Sequence, residues 1–571
     1  MAFSVLPVQL VIMNVPLSFL GSFVVALLIS AFYTKAAALD DLSIKRSDFP
    51  KDFLFGAATS AQQIEGSGNE GGRTPSIWDT YAAIPGNIRD GNNTLIATDS
   101  YKRYKEDIKL LKDLGVDSYR FSISWSRILP QGSLSGGINQ EGIDFYNNLI
   151  DELIANGLKP FVTILHFDTP QALEDKYGSF LSRQIVNDFK DYSELLFKTY
   201  GDRVKHWVTI NEPFVVALGY DLGKGAPGRC SLPPPAGPCP AGDSSIEPYI
   251  VGHNFVLAHA AAAKLYKQKY QAQQGGQIGI VVVGEFMEPL NNTPEDKAAA
   301  GRYLEFLFGW HLEPLTHGDY PKVMREYVGE RLPTFTLEER NLVKGSLDFI
   351  GVNYYTSRYA FKSDKPEEHK HYIGDSLVTL AAEKNGVLIG PKSEGNRYVY
   401  SYPLGLQKVL EYMKMKYQNP TIYITENGYP DGNIPERPLK ESLKDPARIN
   451  YILQHLYYTN KAMKSGVNVK GYFYWALLDN FEWGSGYTVR YGLYFVDYSD
   501  NRRRYPKLSA LWLPTFLKGS INKSAPKAQY PARRVKKLAR KSKTRPTRIN
   551  SGKLDQSKIN SGWKPKPNGD L

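Results

Sequence analysis

VKHWVTINEP, Val204 to Pro213, opens as a buried strand and then sets a glutamate, Glu212, where the strand should stop. TIYITENG, Thr421 to Gly428, does the same with Glu426. An acid at a strand end is ordinarily a solvated boundary residue, so neither stretch decides anything alone. Six further runs share the character: 52–60, 116–126, 158–168, 277–289, 347–357 and 469–483. All are short, rich in Val, Ile, Phe and Tyr, and apolar without strict alternation, as parallel strands covered by helices are. Amphipathic stretches at 101–115, 142–157 and 180–201 lie between them. Eight strand–helix alternations predict an α/β fold, a single (β/α)8 TIM barrel over 45–518. That span exceeds the ~250 residues usual for the fold, so long βα loops must carry the excess, with Cys230–Cys239 and 358–400 as the natural insertions.

The composition is globular: 571 residues, 42% hydrophobic, 13% aromatic and 22% charged. Trp and Tyr rings suit a sugar face, but the same rings fill ordinary cores. The net charge of +12 is not a property of the body. Residues 519–571 hold 15 Lys or Arg against two Asp, a net +13 that leaves the remainder at −1. Nothing in the body advertises a nucleic-acid groove, and no specific nucleic acid is expected as a partner.

Residues 1–38 carry no charge before Lys35 and end in small residues, Ala36 to Ala38. They read as a secretory signal peptide lacking the usual basic start; the alternative is an uncleaved membrane anchor, against which Pro7, Asn14 and Pro16 count. The two cysteines, Cys230 and Cys239, bracket a Pro/Gly-rich loop suited to a local disulfide, unpaired thiols being the alternative. Sequons at Asn92, Asn291 and Asn522 fit a glycoprotein, although Pro294 after Thr293 weakens the second. The expected route is the secretory pathway, ending outside the cell, in the wall or in the vacuole. A nuclear destination arises only if the signal is not used.

The runs finish in a biased set of side chains: Gln63 and Glu65, Arg120 and Trp125, His166 and Asp168, Asn211 and Glu212, Asn353 and Tyr355, Glu426 and Asn427, then Asp479, Asn480, Glu482 and Trp483. Solvated strand ends would be rich in Lys and Ser. In a barrel the carboxyl ends of all strands share one face, so these residues are expected to form one site. No His/Cys spacing resembles a metal site and no glycine-rich phosphate loop is present; neither metal nor cofactor is expected. Two carboxyls in polar and aromatic company suit glycoside hydrolysis, where one protonates the leaving oxygen and the other attacks or stabilises the anomeric carbon.

TINEP, YITENG and DNFEW, with YRFSISWSRILP, PQALEDKYG, GVNYYTSRY and RYGLYFVDY, resemble glycoside hydrolase family 1, particularly its plant β-glucosidases. The resemblance spans 45–518. It implies a retaining β-glucosidase acting on the O-linked β-D-glucoside of a small plant metabolite, with Glu212 as acid/base and Glu426 as nucleophile. It further implies that Arg120 and Tyr355 flank the nucleophile, supported by Asn353, and that Asn211 holds the sugar 2-hydroxyl. Gln63, His166, Glu482 and Trp483 would bind other hydroxyls, over a floor made by Trp475. The thioglucoside-cleaving branch commonly has Gln at the acid/base position; Glu212 favours an O-glycoside. Two departures stand out: Gln62 where plant members usually have Tyr, and Phe167 where they usually have Trp. Rival readings are a transglucosidase of the same fold, which both carboxyls would serve equally, and a non-catalytic carbohydrate-binding scaffold.

The tail beyond 518, YPARRVKKLARKSK with a repeated INSG, has the composition of a disordered extension able to meet polyanions, anionic membrane or further copies of the chain. Removing 525–571 is expected to leave kinetics on a small glucoside unchanged and to release the protein from a polyanion column at low salt. Equal retention of both forms would count against this reading.

Overall fold

In the computed structural model all eight runs form strands, and they close on one another. The structure describes residues 43–519 other than 235, 236, 238, 364–367 and 397. The strands are β1 (Leu54–Ala58), β2 (Ser118–Ser122), β3 (Lys159–Leu165), β4 (His206–Asn211), β5 (Gln277–Val283), β6 (Phe349–Asn353), β7 (Ile422–Asn427) and β8 (Val469–Trp475). Each is parallel to its sequence neighbours, and β8 pairs with β1 through Leu54–Gly471 to Ala58–Trp475, so the sheet is a closed barrel. The helices of the wall include α1 (Ser100–Leu114), α2 (Gln140–Ala155), α3 (Ile185–Tyr200), α4 (Glu247–Lys269), α5 (Pro403–Lys416), α6 (Pro446–Lys464) and α7 (Leu508–Leu517). α3 starts five residues later than its periodicity suggests because Ser179–Leu181 forms a separate 3-10 turn.

Two runs overshoot their strands for local reasons. The run at 277–289 leaves the barrel at Gly284, where a Cβ would stand 2.3 Å from Val352. Phe286–Pro289 then pairs with Ser357–Lys362 in a separate three-stranded sheet. The run at 469–483 stops at Trp475, beyond which Ala476 exchanges backbone hydrogen bonds with Tyr491 and Leu493 instead of the barrel strands. The extra length lies in βα loops, as expected. The β4–α4 connection carries a Cys230–Cys239 disulfide with Cα atoms 5.3 Å apart, and the β6–α5 connection carries small sheets and a hairpin. Residues 1–38, Asn522 and the basic tail lie outside the described residues. Asn92 is exposed, whereas the Asn291 amide donates to Asp296 beside the Thr293 cap of a helix.

Inside the barrel a layer of side chains fills the base. Phe161 stands at its centre with ring centroids 4.9 Å from both His206 and Phe473, 5.3 Å from Tyr423 and 5.7 Å from Phe349. This plug closes the lower end, so a site can open only at the strands' carboxyl ends. Phe161→Ala is expected to cost about 3–5 kcal/mol, because close-packed strands cannot collapse onto the void. The measurement is denaturant unfolding; a loss under about 1 kcal/mol would mean that the plug is not a packed core.

Candidate active site

Glu212 and Glu426 meet at the barrel mouth through two interruptions of strand register. Opposite β5, β4 shifts between Val208 and Asn211; opposite β6, β7 shifts between Ile424 and Glu426. An extra residue in one strand re-aims the side chains that follow it. Pro213 then opens a helix at its first turn, the position Pro favours, and Glu212 is left between strand and helix with φ 41°. Both glutamates line one pocket of about 210 Å³.

Hydrogen bonds join them. The Arg120 guanidinium, fully buried on β2, donates from Nη1 to Glu426 Oε1 at 2.6 Å and from Nη2 to Asn211 Oδ1 at 2.6 Å. Tyr355 donates its hydroxyl to the other oxygen of Glu426 at 2.6 Å. Asn353 Nδ2 donates to Glu212 Oε1 at 2.6 Å and to Asn211 Oδ1 at 3.2 Å, while Thr425 Oγ1 donates to Asn353 Oδ1 at 2.7 Å. One chain of polar contacts thus runs Glu212, Asn353, Asn211, Arg120, Glu426.

Burial, reinforced by the negative charge of Glu426, pushes the Glu212 carboxyl up to about 8, against the opposing pull of the Asn353 bond and the Arg120 charge. Two neighbouring acids in one dry site cannot both ionise freely. Burial and then Glu426 also raise Glu482 well above the usual carboxylate range, and one of its oxygens has no partner among the described residues. Burial, helped by Arg120, holds His166 well below the usual histidine range, so its ring is neutral.

Of the other residues expected here, His166, Asn211, Tyr355, Trp475, Glu482 and Trp483 line the same pocket. The rings of His166 and Trp475 are nearly parallel, 5.7 Å apart. Arg120 and Asn353 stand behind the lining. Gln63 does too: its amide donates to Asn480 Oδ1 at 2.8 Å and to the Phe481 carbonyl at 2.6 Å, fixing the loop that carries Glu482 and Trp483. Phe167, one of the two departures, lines the pocket with φ 73°. Gln62, the other, is buried outside it in a polar cluster with Arg73, Ser76, Asp79 and Thr94. Val215, Asn396, Val489 and Tyr491 also line the pocket and were not singled out from the sequence. Tyr491 lies within the RYGLYFVDY motif; the others are ordinary residues brought in by loop paths. No group of acidic, His or Cys side chains among the described residues has the arrangement of a metal site.

Comparison with known proteins agrees with this geometry. The family model for glycosyl hydrolase family 1 matches residues 45–520. Beta-glucosidase 24 of Oryza sativa subsp. japonica is 54% identical over 478 residues, covering 83% of this chain and 94% of that protein. Raucaffricine-O-beta-D-glucosidase of Rauvolfia serpentina is 51% identical over 506 residues, covering 85% and 94%. Among solved structures, a rice Os3BGlu6 beta-glucosidase mutant in a covalent complex with Glc has a TM-score of 0.81 at 48% identity, covering 83% of this chain and 99% of that one. With a closed barrel, two acids at its mouth and these relatives along nearly the whole described length, the chain belongs to glycosyl hydrolase family 1, among its beta-glucosidases.

Proposed function

We propose that the chain hydrolyses the O-linked β-D-glucoside of a small plant metabolite with retention of configuration, Glu426 attacking and Glu212 managing the proton. The observation that carries this reading is the unequal treatment of the two acids. Both oxygens of Glu426 accept hydrogen bonds from strong donors, Arg120 and Tyr355, while Glu212 is buried beside its negative charge and held up to about 8. At neutral pH Glu212 therefore enters protonated. As Glu426 attacks the anomeric carbon, Glu212 gives its proton to the departing oxygen, and the aglycone leaves as the alcohol. The negative charge of Glu426 disappears into the ester, which removes one of the causes that raised Glu212. Glu212 is then a base, takes a proton from water, and the hydroxide displaces Glu426 from the sugar.

Pocket geometry supports roles for the rest. Asn211 Oδ1 is committed to Arg120 and Asn353, so its amide nitrogen, 3.4 Å from His166 Nε2, is the side left to share with a sugar hydroxyl. The captured Glc in the rice homologue supports a covalent intermediate, and the raucaffricine glucosidase supports plant specialised metabolites as a substrate class. The Cys230–Cys239 disulfide supports an oxidising compartment, in keeping with secretion.

Glu426→Gln is expected to abolish turnover. Glu212→Gln should lower kcat/KM about 10²–10⁴-fold for an alkyl glucoside, and far less for a glucoside whose phenol leaves without help. Proton NMR of early product should show β-glucose; α-glucose first would overturn the retaining assignment.

The kcat/KM profile should fall as pH rises past about 8, where Glu212 loses its proton. Asn353 donates to the ionised form and so lowers the proton affinity of Glu212; in Asn353→Ala the alkaline limb should move to higher pH. A limb that stays put or moves down would remove Glu212 from the acid role.

A further inference from the structure

Trp483 takes a left-handed backbone conformation, φ 52°, which a bulky side chain rarely holds without outside support. Three rings surround it. Phe167 lies 5.0 Å away edge-on, His166 lies 6.0 Å away and nearly parallel, and Trp78 lies 4.6 Å away at 52°. The first two line the pocket themselves; Trp78 does not.

The segment bearing Trp78 touches the Trp483 loop at further points. Arg89 donates its N–H to the Gly484 carbonyl at 2.9 Å. Asp90 Oδ2 accepts the N–H of Tyr487 at 2.8 Å, and the Tyr487 hydroxyl donates to the Asn93 carbonyl at 2.9 Å. Gly486, with φ 58°, allows this approach, since a Cβ there would stand 1.9 Å from Asp90 Oδ1.

The segment is itself anchored. Its short helix Ile77–Ala82 begins in a capping box between Ser76 and Asp79. Asp79 also accepts from Arg73 at 2.7 Å, Gln62 at 2.9 Å and Thr94 at 3.1 Å. Ile77 N–H donates to Thr169 O, and Gln171 N–H to Pro75 O, each at 2.9 Å, stitching the helix to the loop that carries Phe167. Gln62 is thus part of the anchor.

We propose that Trp78, on the segment 76–93, is a positioning residue that fixes Trp483 for recognition of the glycone. It touches no substrate and acts through the indole it packs against. The inference rests on the reading of Trp483 as a sugar contact.

The test uses the full-length protein with Trp78→Leu, Trp78→Phe and Asp90→Ala. Two readouts are taken: kinetics on 4-nitrophenyl β-D-glucoside, and glucose affinity by calorimetry, which needs no turnover. Trp78→Leu should raise KM and weaken glucose binding about three- to tenfold, the worth of an aromatic pair, with kcat within about twofold. Trp78→Phe should recover most of the loss, since a ring remains against Trp483. Asp90 is exposed, so Asp90→Ala should fold; losing the bond to Tyr487 should raise KM and weaken glucose binding about two- to threefold. If Trp78→Leu does not fold, Asp90→Ala decides. Folded variants with unchanged KM and glucose affinity, or with kcat lost at constant KM, would overturn the inference. A wild-type protein that binds glucose but releases no aglycone would sink the hydrolytic reading instead, while the binding comparison still judges Trp78.

Discussion

A single buried guanidinium ties the site to the barrel. Arg120 is sealed from solvent inside β2, and its charge is met by Glu426 and by the carbonyls of Asn211 and Thr425. A buried ion pair of this kind is costly to assemble and far more costly to break, about 3–5 kcal/mol when one partner is removed, because the other charge is stranded. The pairing therefore fixes more than one residue. It sets the position of Glu426, it dictates which way the Asn211 amide faces, and through Asn353 it reaches Glu212. The two acids end up with different environments although both stand at strand ends on one face of one cylinder, after β4 and on β7.

That arrangement is held against local backbone preference. Three non-glycine residues that line the pocket, Phe167, Glu212 and Trp483, have φ of 73°, 41° and 52°. Each such residue costs on the order of 1–3 kcal/mol, and only an over-determined surrounding keeps it. The surroundings match the demand. Glu212 N–H is tied to Val281 O at 2.9 Å, Phe167 sits between the His166 and Asp168 anchors of its loop, and the Trp483 turn is bound to the 76–93 segment. Below them, aromatic packing around Phe161 supplies a rigid base for the strands.

The parts that were legible in the sequence are those where one residue type has one use. Eight apolar runs gave eight barrel strands, since a strand covered on both faces has few other ways to read. Of the side chains at the ends of those runs, His166, Asn211, Glu212, Tyr355, Glu426, Glu482 and Trp483 converge on the pocket, whereas Glu65, Trp125, Asn427 and Asp479 are spent on partners behind it. The shifts in register beside Glu212 and Glu426 were not legible: a bulge is a relation between two strands, and TIN or ITE alone does not encode it. Gln63 shows the same limit from the other side. Its type suits sugar binding, yet its amide hydrogens are spent on Asn480 and Phe481, a partnership 417 and 418 residues away in sequence. Val215 and Asn396 carry no chemical signature, and only the paths of the long loops bring them to the mouth.

Those loops divide the labour of the site. Residues assigned to bond cleavage stand on or directly after strands, where hydrogen-bonded neighbours hold them on both sides. Val215 and Asn396 come instead from the connections after β4 and β6, the first stapled by a disulfide and the second built around small sheets. Chemistry placed on the cylinder tolerates little displacement, while walls placed on insertions can change length and shape without disturbing the ion pair beneath. On the proposed reading, bond cleavage belongs to the rigid part and the aglycone to the variable part, while Glu482 and Trp483 meet the sugar from a loop tied down by the 76–93 segment. Phe167 belongs with that loop: it lies on the catalytic face, lines the pocket and contacts Trp483. Because it packs on the same indole as Trp78, a smaller ring there shifts more of the burden of holding Trp483 onto Trp78, so the two positions should be energetically coupled rather than additive.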